Sequence, residues 1–196
     1  MSHEDVILHG FAPSTYVRSA RLACVDKDVA YRLAPLDFKG ASHLALHPFG
    51  KMPILEHGAV RLFETAAILD YVDATFDGPS RTPTGTVPRA RMRQWMSAAA
   101  DVVYPDVVSA LLVEGGPDEV AVARARERLA VLDGVLGEGR YLAGDALSLA
   151  DLYVLPMVSF AAAQPAGDAI LDGLGRLAEW RASLEDRPGF SATLAS

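Results

Sequence analysis

Twelve consecutive residues, Asp77 to Pro88 (DGPSRTPTGTVP), contain three prolines and two glycines. No helix or central strand runs through such a stretch, because each proline lacks a backbone N–H and fixes its own φ, while glycine adds backbone freedom. The stretch cuts the chain into residues 1–77, a linker at 78–88, and residues 89–196. Composition changes at the same place: all five histidines and all three lysines lie within the first 60 residues, whereas every basic residue after residue 80 is arginine. A chain of 196 residues accommodates two small domains, given roughly 150 residues for an average one.

Hydrophobic residues make up 51% of the chain and charged residues 22%, which is the balance of an ordinary globule and not of a disordered or fibrous chain. With 18 Lys and Arg against 25 Asp and Glu the net charge is −7. Such a surface has no attraction for a phosphate backbone or an anionic bilayer, so neither nucleic acid nor membrane is an expected partner. The single cysteine, Cys24, excludes an intrachain disulfide and a multi-cysteine zinc site and suits a reducing compartment. Glu4 and Asp5 precede the only nearby apolar stretch, unlike a basic signal-peptide start, and a cytoplasmic address is expected. The apolar run Leu152 to Ala163 is broken by Pro156 and Ser159; it is too short to span a bilayer and is expected to form a buried helix. His43 and His47 stand four residues apart, but no carboxylate pattern accompanies them, so no metal site is expected.

The first block alternates short apolar runs with helical patterns. Val6–His9 predicts a strand, Thr15 to Lys27 a helix, and Ala30 to Ala34 a second strand, which a right-handed βαβ unit packs naturally. Pro53 to Glu56 and Val60–Phe63 flank His57 and Gly58 as a hairpin, and Thr65–Thr75 places Ile68, Leu69 and Val72 on one helical face. With a short helix before the hairpin, the order is β-α-β-α-β-β-α, the thioredoxin-like arrangement. Beyond the linker only helical patterns remain: Pro88 to about Val113, Pro117 to about Leu136, and Leu149 to about Ala163. Pro117 is expected to open its helix, where its missing N–H costs nothing. Ser148 and Asp151 are spaced as a capping box flanked by the staple pair Leu147 and Leu152. Exchange of Asp151 for alanine, judged as loss of a cap alone, is worth about 0.5 to 2 kcal/mol.

Three segments could carry chemistry. Ser14, Thr15 and Tyr16 stand where the first strand gives way to the first helix. Unpaired N–H groups and the helix dipole favour an anion there, and a hydroxyl could donate to a thiolate or merely cap the helix. Lys51-Met52-Pro53 leads into the third strand; a cis Met52-Pro53 bond would offer Met52 as an edge for peptide pairing, and a trans bond would leave an ordinary strand start. Glu64-Thr65 brings a carboxylate and a hydroxyl to another helix start, suited to an amino acid zwitterion or simply to helix initiation.

The stretch HPFGKMPILEHGAVRLFETAAILDYV (His47 to Val72) and the segment SLADLYVLP (Ser148 to Pro156) resemble the glutathione transferase family, in its bacterial, serine-type form. The resemblance implies an α/β thioredoxin-like N-terminal domain and an all-α C-terminal domain. It implies glutathione as co-substrate without a metal, a small hydrophobic electrophile as second substrate, a homodimer, and a role in detoxification. It implies Ser14 as the hydroxyl facing the glutathione sulfur and Met52 as the backbone partner of the cysteinyl unit, with Pro53 in the cis form. Lys39 and Lys51 would approach the glycyl carboxylate, and Glu64 and Thr65 would hold the γ-glutamyl end. Thr65 stands where serine is commoner and His47 where asparagine is frequent. Isomerisation, dehalogenation, peroxide reduction or a binding-only role would use the same glutathione site. Trp95, Met96 and Tyr104 have the helical spacing of core residues as much as of a pocket wall, and Arg89, Arg91, Arg93, Arg124, Arg126 and Arg128 are expected on a solvated surface.

Overall fold

A computed structural model describes residues 5–194. The described residues divide into two units: 5–80 together with 188–194, and Arg81–Arg187.

In the first unit the strands β1 (Val6–His9), β2 (Tyr31–Ala34), β3 (Ile54–His57) and β4 (Val60–Phe63) form one sheet in the order β2-β1-β3-β4. β1 and β2 are parallel and joined through α1 (Thr15–Asp26), while β3 is antiparallel to both β1 and β4. The βαβ unit and the hairpin expected from the apolar runs are both present. Gly58, with φ of 57°, starts the two-residue hairpin loop, a backbone conformation that costs glycine little. A short helix, α2 (Ala41–Leu46), precedes β3, and α3 (Thr65–Thr75) follows β4.

Val6 and Leu8 of β1 and Ile54 and Leu55 of β3 are buried, as are Val17, Ala20, Ala23 and Cys24 of α1 and Ile68, Leu69 and Val72 of α3. α1 packs against α3. A buried ion pair ties them further: Lys27 Nζ lies 3.0 Å from Asp73 Oδ1 and also donates to the Asp73 carbonyl at 2.9 Å. Ser80 donates to the other Asp73 carboxylate oxygen at 3.1 Å.

The last described residues belong to this unit and not with the helices that precede them. Phe190 and Thr193 are buried, Arg18 Nε donates to Thr193 Oγ1 at 3.2 Å, and Arg21 donates to the carbonyls of Thr193 and Ala192, each at 3.0 Å. Nothing in the apolar spacing of residues 188–194 announces this, since the contact is made of two arginines, a threonine hydroxyl, backbone carbonyls and one buried phenylalanine.

The second unit is helical: α4 (Thr86–Ala98), a π-helix (Ala99–Ser109), α5 (Glu119–Val135), α6 (Leu149–Ala162), α7 (Gly167–Leu171) and α8 (Gly175–Glu185). α4 begins at Thr86, with Pro88 in its first turn, where an N–H has no intrahelical partner to lose. The single helix expected from Pro88 to Val113 changes register at Ala99. Pro105 lies within the wide segment, and the Ala110 N–H bonds five residues back to the Pro105 carbonyl. A proline cannot donate and crowds the carbonyl four residues earlier, which a wider turn relieves. Pro117 lies outside α5, because Asp118 caps that helix by accepting from the Ala121 N–H at 2.7 Å.

α6 is buried along almost its whole length, Pro156 included. Met96 is buried while Trp95 and Tyr104 are half-buried. Arg89, Arg91 and Arg93 are exposed, but Arg128 pairs with Asp106 at 2.7 Å and Arg126 donates to the Ala169 carbonyl at 3.0 Å, so these two tie α5 to its neighbours. Among the described residues no helix is long and apolar enough to cross a membrane.

Candidate active site

The strand register gathers the segments that carry the candidate residues. Ala34, His9, Ile54 and Phe63 are successive partners across the sheet, so β2, β1 and β4 end, and β3 begins, along one row. Lys39 follows β2, Ser14 follows β1, Lys51, Met52 and Pro53 lead into β3, and Glu64 and Thr65 follow β4. With neighbouring strands about 4.8 Å apart the row spans about 14 Å, slightly more than the roughly 10 Å of an extended tripeptide.

At the end of β1, Gly10 has φ of 156°, and a Cβ there would overlap Val17 Cγ2, so only glycine lets α1 begin this close to the strand. Ser14 is the N-cap of α1. Its Oγ accepts from the Val17 N–H at 3.4 Å. Capping and donation are compatible, because the cap occupies a lone pair of the hydroxyl and leaves its proton for another acceptor. Ser14 is half-buried, whereas Thr15 is buried, its Oγ1 without a hydrogen-bond partner among the described residues. The first turn holds no acidic residue, so the positive end of α1 is not neutralised from within.

The Met52-Pro53 peptide bond is cis. Met52 is half-buried and precedes the registered pairs of β3, which begin at Ile54, while Pro53 is buried and Lys51 exposed. Lys39 is exposed, with φ of 64°. The buried His43 stands between the two lysine-bearing segments: the Lys39 N–H donates to its Nδ1 at 2.9 Å, and its Nε2 is 2.8 Å from the Lys51 carbonyl oxygen. His47 is also buried. Its Nδ1 accepts from the Phe49 N–H at 3.2 Å, and its ring centroid lies 4.7 Å from that of Phe63, just before Glu64. Burial pushes the His47 pKa below its ordinary value, with Glu64 opposing and the charges of His43 and Lys51 adding to the fall.

Glu64 caps α3 through its backbone alone, with φ of 69° and ψ of 119° and no side-chain cap bond. Such a conformation costs a non-glycine residue about 1 to 3 kcal/mol, and residues held in this way cluster where a side chain has to be aimed. Glu64 is exposed, and Thr65 beside it is buried. Neither the backbone of Glu64 nor the bridging role of His43 was legible in the sequence: a helix-start pattern carries no φ, and His43 lies four residues from one partner and eight from the other.

Residues 8–80 match the family described as Glutathione S-transferase, N-terminal domain, and residues 105–183 match Glutathione S-transferase, C-terminal domain. Glutathione S-transferase 4 of Zea mays is 31% identical over 96% of this chain and 91% of its own. The chain belongs to the glutathione S-transferase family. Glutathione S-transferase F9 of Arabidopsis thaliana is 29% identical over 91% of each chain. The crystal structure of glutathione transferase F7 from Populus trichocarpa superposes with a TM-score of 0.84 at 25% identity, covering 96% of this chain and 97% of that one. These relatives are plant proteins, so the bacterial part of the resemblance is not carried forward.

The transferase has glutathione as its co-substrate. Its only cysteine contributes no nucleophile: Cys24 is buried within α1, and burial pushes its thiol up to about 12. In the helical unit, Asp151 of the SLADLYVLP segment forms the capping box with Ser148 and accepts four hydrogen bonds. They come from the Ser148 N–H (2.9 Å), the Ser148 hydroxyl (2.8 Å), the Leu142 N–H (3.0 Å) and Trp180 Nε1–H (3.1 Å). Burial raises the Asp151 pKa and these donors oppose the rise.

Proposed function

We propose that this glutathione transferase binds glutathione extended along the row of strand ends, with Ser14 donating to the thiolate. The carrying observation is the alignment of Ala34, His9, Ile54 and Phe63, from which all the candidate segments depart. Met52 pairs with the cysteinyl unit, Pro53 shapes that edge, Lys39 and Lys51 face the glycyl carboxylate, and Glu64 with Thr65 takes the γ-glutamyl end. The opposite charges of Lys51 and Glu64 fix the direction in which the tripeptide lies.

A free thiol with pKa near 8.5 is only a few per cent ionised at pH 7, and lowering that pKa by about 2 units requires about 2.7 kcal/mol. The unneutralised N-terminus of α1 and one hydroxyl donor supply an effect of that size. The thiolate then attacks a small hydrophobic electrophile, forming a carbon–sulfur bond as the leaving group departs with its electron pair. In this reading the enzyme serves detoxification in the cytoplasm and works as a homodimer.

Glutathione titration of Glu64→Ala tests the placement. Affinity is expected to fall by roughly 2 kcal/mol, because the ligand ammonium loses a charge-assisted partner. Equal affinity in variant and parent would remove Glu64 from the site.

A further inference from the structure

We infer that His43 is a positioning residue, which sets the spacing of Lys39 and Lys51 and thereby builds the clamp for the glycyl carboxylate. The inference rests on the glutathione placement proposed above and extends it to a residue that need not touch the ligand. His43 is 1% exposed, and both ring nitrogens are engaged by backbone groups of the two lysines and not by their side chains. A backbone N–H only donates, so Nδ1 must be the acceptor toward Lys39; a carbonyl only accepts, so Nε2 must carry the proton toward Lys51. The two bonds therefore select one tautomer and fix the ring between two segments twelve positions apart in sequence.

The ring is also held from its face. Phe38 stacks on His43 with centroids 5.4 Å apart and an interplanar angle of 30°, Phe11 packs on Phe38 at 5.9 Å, and Lys39 Nζ lies 5.6 Å from the Phe38 centroid. Lys39 itself has a left-handed backbone, with φ of 64°, an arrangement that persists only where its surroundings enforce it. The bond from its N–H to His43 is such an enforcement. Without His43, Lys39 and Lys51 would remain in the chain, but their separation would be set by two loops in place of one buried ring. Placement of two cations on one carboxylate depends on that separation, so the loss is confined to the glycyl end of the ligand.

Calorimetric titration of the full chain with glutathione and with its glycyl monoethyl ester, which lacks only the terminal charge, tests the inference. The parent should prefer glutathione. In His43→Phe the affinity for glutathione should fall about tenfold while that for the ester changes little, so that the preference collapses. His43→Gln, which keeps a donor for the Lys51 carbonyl, should retain part of the preference and serves as the reading if the phenylalanine variant does not fold. A variant that keeps the parental ratio of the two affinities, whatever its absolute affinity, would overturn the positioning role. A parent that binds glutathione and its ester equally would instead overturn the lysine assignment beneath it, and the inference with it.

Discussion

At the scale of the residue, Glu56 shows how the sheet carries charge at its half-buried face. Its carboxylate receives Nε2 of His9 at 2.7 Å and Nε and Nη2 of Arg61 at 3.0 and 2.9 Å, and these partners, His9 foremost, hold its pKa below the ordinary value. A carboxyl whose pKa is lower in the folded state contributes stability above its unfolded pKa and loses it as pH falls through the folded one. Urea unfolding of Glu56→Gln should therefore show the parent ahead by up to about 1 kcal/mol at pH 7 and the two proteins converging in acid. A gap that persists at low pH would assign the effect to packing. The candidate site was legible at this scale where a residue type implies its chemistry, as with Ser14 at a helix start or Glu64 before Thr65. It was illegible where chemistry depends on long-range pairing. His43 has no unusual sequence neighbours, and its meaning comes from two backbone groups that only the fold brings to it.

Elements whose apolar runs matched one period were readable: the four strands, α1, α3 and α6 lie within a residue or two of their expected ends. α5 starts two residues after the expected Pro117, because Asp118 takes the cap position. The change of register after Ala98 was missed because apolar spacing does not distinguish an α-turn from a wider one. For α6 the capping box was evident from Ser148 and Asp151, but not its reach. Asp151 also receives the Leu142 N–H and the Trp180 indole, which join the preceding loop and α8 to the start of α6. Asp151→Ala therefore leaves several buried donors without an acceptor, and the expected cost rises from about 0.5 to 2 kcal/mol for a cap to about 3 to 5 kcal/mol. Chemical denaturation measures this, and a loss within the range of a simple cap would show that the loop and the indole find other partners.

For the whole molecule, the two-part architecture followed from one proline- and glycine-rich stretch, while the return of residues 188–194 to the first unit did not, being held by Arg18, Arg21 and a buried phenylalanine. As proposed, the enzyme works as a homodimer. Light scattering should give twice the 20.9 kDa of one chain, and a monomer at micromolar concentration would refute the dimer. The central claim is that the α1 terminus and Ser14 together ionise bound glutathione. It is tested most directly by the thiolate absorbance of the bound tripeptide against pH, in the parent and in Ser14→Ala, with Thr15→Ala and Tyr16→Phe as controls. The parent should hold the thiol about 2 units below its free pKa, and Ser14→Ala should raise it by about 1 to 2 units while glutathione still binds and both controls leave it in place. A bound thiol whose pKa is unmoved in Ser14→Ala, or that moves in Thr15→Ala or Tyr16→Phe instead, would contradict the account.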